Sequence, residues 1–293
     1  MLKGDMLKKL TIDGNAKINL SLDVIRRRED GYHDLSMIMQ EITLNDVIEL
    51  EEIERDEIRV SCTNEKVPTD ASNIVYRIAY TIKEKFKIKK GISINIIKNI
   101  PLAAGLAGGS ADGAATLKGL NELWNLELSE QELIEIAKPI GADIPFCVVG
   151  GTALAEGIGE KLTKIRGLGA VDILLVYPEV EVSTAYVYKN LKLDEIEKRP
   201  DNSDLIEAIE RGDINHLAKN MVNVLESVTS SRYSIIEEIK KSMIENGALG
   251  SMMSGSGPTV FGIFESETSL ERCAKELKKK YKVVIKAKTV EAR

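Results

Sequence analysis

Pro101-Leu-Ala-Ala-Gly-Leu-Ala-Gly-Gly-Ser-Ala-Asp-Gly-Ala-Ala115 is the stretch on which the reading of this chain turns. Before it, Asn99-Ile100-Pro101 ends an apolar strand over Ile92 to Ile97. After it a helix is expected from about Ser110 to Trp124, with Ala114, Leu117, Leu120 and Trp124 along one side. Glycines at 105, 108 and 109 open backbone conformations closed to other residues and let the chain approach a ligand closely. A helix starting just behind them aims unpaired N–H groups, and the positive end of its dipole, at the same space. That combination suits phosphate. Ser110 adds a hydroxyl for a phosphate oxygen or a magnesium-bound water. The same residues would also serve as a helix N-cap packed tightly on a sheet. A second glycine cluster, Met253-Ser-Gly-Ser-Gly-Pro-Thr-Val260, joins a helix to a strand, and two such clusters strengthen the case for one shared phosphate site.

Better-known phosphate loops are absent. No GxxxxGK[ST] occurs, no GxGxxG follows a strand, and the HRD and DFG elements of protein kinases are missing.

Outward from the loop, short β-rich pieces are expected over Lys17 to Val24, Val47 to Leu50 and Ile58 to Ser61, and a helix over Asn73 to Phe86. Ser129 reads as the N-cap of a further helix, with Glu132 at the capping-box position and an end near Pro139-Ile140-Gly141. Gly150-Gly151 breaks the chain before a strand pair, and Val171 to Tyr177 is a buried strand. Helices follow around Asp204–Glu210, Ile214–Val224 and Tyr233–Glu245. The chain closes as strand Thr259–Phe264, helix Ser269–Tyr281 and strand Val283–Thr289. This order gives an α+β fold, with a domain border expected near residues 155–165.

The bulk properties exclude several classes. The chain has 293 residues, 43% apolar and 29% charged, enough for one large or two modest domains. Forty Lys and Arg against 46 Asp and Glu give a net charge of -6, so there is no overall basic field for nucleic acid or anionic lipid. Arg26-Arg27-Arg28 and Lys278-Lys279-Lys280 read as solvated surface. No apolar run approaches the roughly 20 residues that span a bilayer. Met1 to Leu10 carries lysines but no apolar signal core, which points to the cytoplasm. Three cysteines, Cys62, Cys147 and Cys273, lie far apart, and only two histidines occur, so reduced thiols are expected rather than a zinc site. A metal, if used, is expected to be magnesium.

Three segments together, Ala16-Lys-Ile-Asn-Leu20, Pro101–Ala115 and Ser254-Gly-Ser-Gly-Pro-Thr259, resemble the GHMP kinase superfamily over nearly the full chain. Asp30-Gly-Tyr-His33, Gly141-Ala-Asp-Ile-Pro145 and Gly151 to Glu160 narrow the resemblance to the branch that phosphorylates a cytidyl-diphosphate derivative of methylerythritol. The resemblance implies a ribosomal-S5-like N-terminal domain that binds ATP, over residues 1–160, and a ferredoxin-like C-terminal domain over 161–293. It further implies an active site in the cleft between them. ATP, with magnesium, would give its γ-phosphate to the 2-hydroxyl of the cytidyl substrate in non-mevalonate isoprenoid synthesis.

By the same resemblance, Asp143 is the general base and Lys17 the catalytic lysine that contacts it. By itself, an aspartate after Gly141 would as readily be a capping or turn residue. ATP is expected at Pro101, Leu102, Ala103, Ala104, Gly105, Leu106, Ala107, Gly108, Gly109, Ser110 and Ala111, with Asn73 and Lys98 on the adenine and ribose side. Asn19 shares a strand face with Lys17 and is expected to bond the substrate. Tyr32 and His33 are expected to read the nucleobase, Tyr188 or Tyr186 to stack on its other side, and Thr184 to line the methylerythritol pocket. No direct protein ligand to magnesium is expected, beyond a role for Ser110. His216, Trp124 and the cysteines are read as structural. Val222-Asn-Val-Leu-Glu226 departs from the Asn-Asp-Leu-Glu form of the branch, which puts local helix contacts in doubt. The expected partner is a small molecule, with neither nucleic acid nor membrane, and the chain is expected to be a monomer or weak homodimer. Another small-molecule GHMP kinase, such as a homoserine kinase, and a silent metabolite sensor are the competing readings.

Overall fold

The computed structural model describes residues 7–291, so the first six residues of the Met1–Leu10 stretch lie outside the described residues. The chain divides into two compact units interleaved in sequence rather than parted at one border. The first comprises the residues up to Ala16, Asn45–Ile100 and Gly108–Val149. The second comprises Lys17–Leu44, Pro101–Ala107 and the residues from Gly150 on.

Strand β1 spans Lys9–Arg27, β2 His33–Ile53, β3 Ile58–Cys62 and β4 Gly91–Ile97, with helix α1 at Ile74–Phe86. In the first unit the sheet order is β3-β4-β2. β4 runs parallel to β3, with Ile94 opposite Val60, and antiparallel to the later part of β2, with Ile94 opposite Leu50. Alternation sets the two faces. Ile92, Ile94 and Ile96 are fully buried, whereas Asn95 on the other face donates to Glu49 Oε2 at 2.7 Å. The buried face is covered by α1 together with α2 (Gly108–Leu123), α3 (Glu130–Ala137) and α4 (Ile144–Val149), in a core that includes Ile78, Ile82, Leu117, Leu120 and Ile144. The expected capping box is present: Ser129 Oγ accepts from the Glu132 N–H, and the Glu132 carboxylate accepts from the Ser129 N–H.

The second unit contains the early part of β2, paired antiparallel with β5 (Thr152–Gly157), which in turn pairs with β6 (Lys161–Ile165). It also contains a four-stranded antiparallel sheet in the order β10-β7-β9-β8. Its strands are β7 (Asp172–Tyr177), β8 (Gly250–Met253), β9 (Val260–Phe264) and β10 (Val283–Lys288). Helices α9 (Ile235–Glu245) and α10 (Glu267–Leu277) cover that sheet through Ile236, Ile239, Met243, Leu270 and Leu277. Four short helices precede them: α5 (Thr184–Asn190), α6 (Asn202–Arg211), α7 (Ile214–Asn220) and α8 (Glu226–Arg232).

Several elements differ from expectation. The helix expected over Ile214–Val224 stops at Asn220, because Asn223 turns inward to bond other backbone groups. Ile-Pro-Phe-Cys-Val-Val reads as a continuous apolar run, yet it is helical. Pro145 sits in the first turn of α4, where a missing N–H costs nothing.

Gly113 sets how closely α2 approaches α1. A Cβ there would lie 2.6 Å from Ile74 Cγ2, with Ile144 Cδ1 and Ile78 Cγ1 next. Replacing Gly113 with Val is expected to cost about 1–3 kcal/mol through overpacking, read as a lower urea midpoint. An unchanged midpoint would show that the α1–α2 spacing is not tight.

Candidate active site

The residues expected at the site divide between the two units, and each set is described by itself. In the second unit the chain over residues 101–107 is unusually bent. Ala103, Gly105 and Ala107 have φ of 50°, 76° and 56°, and left-handed alanines of this kind concentrate at functional loops. At Gly105 nothing else fits, because a Cβ would stand 2.2 Å from the Ser254 carbonyl oxygen. Ser254 Oγ donates to the Gly105 carbonyl at 3.0 Å, and the Thr259 N–H donates to the Ala104 carbonyl at 3.3 Å. The two glycine clusters therefore touch through backbone. The Lys17 N–H adds a bond to the Leu106 carbonyl at 3.1 Å.

Lys17 and Asn19 share a face of β1, as strand alternation requires. Both are buried, at 5% and 0% exposure. Lys17 Nζ donates to Asn19 Oδ1 at 2.7 Å, and Asn19 Nδ2 donates to Met37 Sδ at 3.3 Å. Asn19 Oδ1 lies 3.6 Å from where a Gly255 Cβ would stand, which sets the pair beside the second glycine cluster. Burying an ammonium with a neutral partner is costly, and such a charge is suited to meeting a developing anion.

That second cluster is clamped by a residue the sequence reading passed over. Asn223 Nδ2 donates to the Met253 and Gly255 carbonyls, both at 2.8 Å, while its Oδ1 accepts from the Leu225 N–H at 3.0 Å. Glu226 Oε2 accepts from the Met253 N–H at 2.7 Å, and its other oxygen pairs with Lys240. Burial pushes the Glu226 carboxyl up, against the pull of Lys240. The Val222–Glu226 segment thus keeps a positioning role despite its departure from the expected form. The sequence signal was there, in an asparagine and a glutamate three residues apart. Thr184 reaches the same loop, with Oγ1 2.8 Å from Ser256 Oγ.

The Asp30-Gly-Tyr-His33 segment is a tight turn. Gly31 has φ of 87°, the Arg28 N–H bonds the Tyr32 carbonyl at 2.8 Å, and Asp30 Oδ1 accepts from the Tyr32 N–H at 3.0 Å. Arg28 bridges Asp30 and Asp34. The turn presents Tyr32 61% exposed. The His33 ring lies 5.1 Å from the Tyr188 ring, tilted by 31°. Tyr186, by contrast, packs against the Arg232 guanidinium at 4.6 Å. Burial, with Arg27 adding to it, holds the His33 imidazole below its ordinary pKa. It is therefore neutral near pH 7 and has both a donor and an acceptor for a base edge.

In the first unit α2 starts at Gly108. The opening N–H groups of a helix have no carbonyl to bond. Gly109 is exposed, with no contact to its missing Cβ closer than 3.6 Å, and the Ser110 hydroxyl has no hydrogen-bond partner among the described residues. The turn is open to an anion. Ala111 is buried. Ile144 packs beside Gly113 of α2, which holds the preceding residue, Asp143, at the start of α4. The Asp143 carboxylate is half-buried and makes no hydrogen bond or ion pair among the described residues. It is not spent on capping α4.

Two expected contacts are redirected. Asn73 is the N-cap of α1: its Oδ1 accepts from the Val75 N–H at 2.9 Å and its Nδ2 donates to the Pro68 carbonyl at 2.5 Å. Lys98 Nζ is buried between Asp46 Oδ2 at 2.5 Å and Asp112 Oδ2 at 2.6 Å. Both side chains are engaged within the protein, Asn73 as a helix cap and Lys98 in an ion cluster. Burial pushes the Asp112 carboxyl up to about 8, with Lys98 opposing and Asp46 adding to the rise. Of the residues read as structural, His216 bonds Asp204, Trp124 packs on the first core, and burial pushes the Cys273 thiol up to about 11.

Each unit thus carries a glycine-rich turn, the start of α2 in one and the bent 101–107 loop in the other. The chain belongs to the GHMP kinase family. The profile of the GHMP kinases N terminal domain matches residues 73–151, and that of the GHMP kinases C terminal matches residues 205–283. Among its relatives is the 4-diphosphocytidyl-2-C-methyl-D-erythritol kinase of Acetivibrio thermocellus, 55% identical over 89% of this chain and 92% of the relative. The enzyme of that name from Clostridioides difficile is 52% identical over 94% and 93%. A crystal structure of 4-(cytidine 5'-diphospho)-2C-methyl-D-erythritol kinase superposes with a TM-score of 0.83 at 30% identity, over 96% of this chain and 99% of that one. A homoserine kinase from Cytophaga hutchinsonii shares the fold, with a TM-score of 0.78 at 20% identity over 100% and 97%.

The Asp112 shift has a signed consequence. A carboxyl whose folded pKa lies above its unfolded value of 3.8 binds more protons folded than unfolded between those values, so its contribution is present below about pH 4 and lost as pH rises toward 8. Asp112→Asn, which cannot ionise, is expected to gain thermal stability relative to the parent across that interval. A Tm difference independent of pH would contradict the buried, protonated carboxyl.

Proposed function

We propose that the chain transfers the γ-phosphate of ATP to the 2-hydroxyl of 4-diphosphocytidyl-2-C-methyl-D-erythritol, giving the 2-phosphate and ADP, in non-mevalonate isoprenoid precursor synthesis. The full-length relatives of that name support the reading. The single observation that carries it is the aromatic set at Tyr32, His33 and Tyr188. A homoserine or mevalonate acceptor gives an exposed tyrosine, a neutral imidazole and a paired ring nothing to read, whereas a cytosine offers a stacking face and a polar edge.

In this reading the amides of Gly108, Gly109 and Ser110 hold phosphate oxygens, and the bent Pro101–Ala107 segment lies along the nucleotide. Asp143 takes the proton from the acceptor hydroxyl as its oxygen bonds to the γ-phosphorus and the bond to the β–γ bridging oxygen breaks, ADP leaving with that oxygen. Lys17 stabilises negative charge at the acceptor oxygen, Asn19 bonds the acceptor, and Thr184 lines the methylerythritol end. Magnesium, carried on the triphosphate, would supply charge neutralisation, and the Ser110 hydroxyl, without a hydrogen-bond partner among the described residues, would hold a water of its shell. Of the two tyrosines, Tyr188 is the base partner, since Tyr186 is engaged by Arg232. The ATP-binding part is assigned to residues 1–160 and the remainder to 161–293, in a cytoplasmic monomer or weak homodimer. No helix among the described residues is long and apolar enough to cross a membrane.

A coupled ADP-release assay across the cytidyl substrate, homoserine, mevalonate and galactose tests the assignment. Turnover is expected with the first alone, and preference for any other would overturn it. Asp143→Asn is expected to lower kcat by about 10²–10⁴-fold while ATP binding persists; near-normal kcat removes it as base. Tyr32→Ala and Tyr188→Ala are each expected to raise KM for the cytidyl substrate about tenfold, within the usual worth of base stacking, with KM for ATP unchanged. Equal effects on both substrates would contradict a stacking role.

A further inference from the structure

Behind the first turn of α2 lies a sealed group of three charged side chains. Asp46 comes from β2, Lys98 follows β4, and Asp112 stands on α2 itself. Their side chains are 0%, 3% and 5% exposed. Lys98 Nζ sits between the two carboxyl groups, at 2.5 Å from Asp46 Oδ2 and 2.6 Å from Asp112 Oδ2. Asp46 Oδ1 accepts from the Asn99 N–H at 2.6 Å and the Ile100 N–H at 2.8 Å, while Asp112 Oδ1, also buried, has no partner among the described residues. The neighbours of α2 around Asp112 are otherwise apolar: Ile74 and Ile78 of α1 and Ile144 of α4 pack at Gly113.

This cluster touches the helix start directly. Lys98 Nζ lies 3.1 Å from where a Gly108 Cβ would stand, with Ile100 Cγ2 at 3.0 Å, so the ammonium rests close to the first residue of α2 and a side chain there would crowd it. Negative charge on this carboxyl pair, so near the start of a helix, would compete with any anion drawn to the N-terminal end of its dipole. Here Lys98 draws the Asp112 carboxyl onto itself and lays a positive charge beside Gly108. Buried ion clusters seldom add net stability, and their best-attested use is to fix one arrangement.

We propose that Lys98 is a positioning residue for the nucleotide: locked between Asp46 and Asp112, it compensates the negative charge that this carboxyl pair carries behind α2 and keeps the Gly108–Ser110 turn receptive to phosphate. The inference rests on the assignment of that turn to ATP phosphates and adds what sustains it. Lys98 acts through the backbone of Gly108 and through Asp112, without touching the nucleotide.

The test compares the purified full chain with four variants, reading ATP affinity by calorimetry, kcat, and KM for each substrate. Lys98→Met is expected to weaken ATP binding tenfold or more, with kcat at saturating ATP and KM for the acceptor within threefold of the parent. Lys98→Gln, which keeps hydrogen bonds to both carboxyl groups but no charge, is expected to do the same and serves if the methionine variant does not fold. Lys98→Met combined with Asp46→Asn removes the uncompensated charge and is expected to recover most of the lost affinity. A merely structural cluster would instead move both KM values together and show no recovery of ATP affinity in the double variant; either result overturns the proposal, as does unchanged ATP affinity. Gly109→Asp, at an exposed position with room for a side chain, separates the two claims. If it binds ATP normally, the phosphate assignment of the turn fails. If it loses ATP while Lys98→Met and Lys98→Gln keep it, the role of Lys98 alone fails.

Discussion

An α-helix begins with amide N–H groups that have no carbonyl to bond, and α2 begins with them on residues too small to cover them. Gly108, Gly109 and Ser110 leave that positive end uncovered by large side chains, and the Ser110 hydroxyl beside it has no hydrogen-bond partner among the described residues. Much of the first unit serves to hold this one turn in place. Gly113 lets α1 approach, the isoleucines of β4 form the floor, and Asp46 grips the two amides that lead away from the strand toward the glycine stretch.

The second unit handles polar groups in a similar way. Several of its polar side chains are matched to backbone or to one another: Asn223 spans the Met253–Gly255 turn, Ser254 reaches Gly105, and Thr184 meets Ser256. Each bond fixes a loop whose backbone must stay close to another backbone, which is where a side chain would intrude. The Lys17–Asn19 pair is the exception, a buried positive charge whose partner is neutral. Asp143 mirrors it in the first unit as a half-buried carboxylate without a partner among the described residues. Charges left uncompensated in this manner are expensive to keep in a fold and useful in a reaction.

How far the sequence announced all this depended on the kind of signal. The Ser129–Glu132 capping box, the isoleucine alternation of β4 and the α2 face were readable because each is a local pattern with one physical cause. Gly105 was recognisable as necessary, though not its reason, since the Ser254 carbonyl it must clear lies about 150 positions away. The partners that Asn73 and Lys98 find within the fold were not legible. Nothing local shows that Asn73 caps a helix, or that Lys98 will find Asp46 and Asp112 before it finds solvent. α4 was hidden by its own hydrophobicity, because a short apolar run has no periodicity to separate helix from strand. Tyr186 and Tyr188 were equivalent in sequence and distinct in space, one beside Arg232 and the other beside His33.

The claim on which the functional account stands is that the opening amides of α2 bind phosphate. Amide NMR of the isotope-labelled chain addresses it directly, by titration with the non-hydrolysable β,γ-imido analogue of ATP and, separately, with adenosine. The account requires the Gly108, Gly109 and Ser110 amide protons to move downfield with the triphosphate and to stay near their free positions with the nucleoside. Saturating triphosphate that left those three resonances unmoved would contradict it.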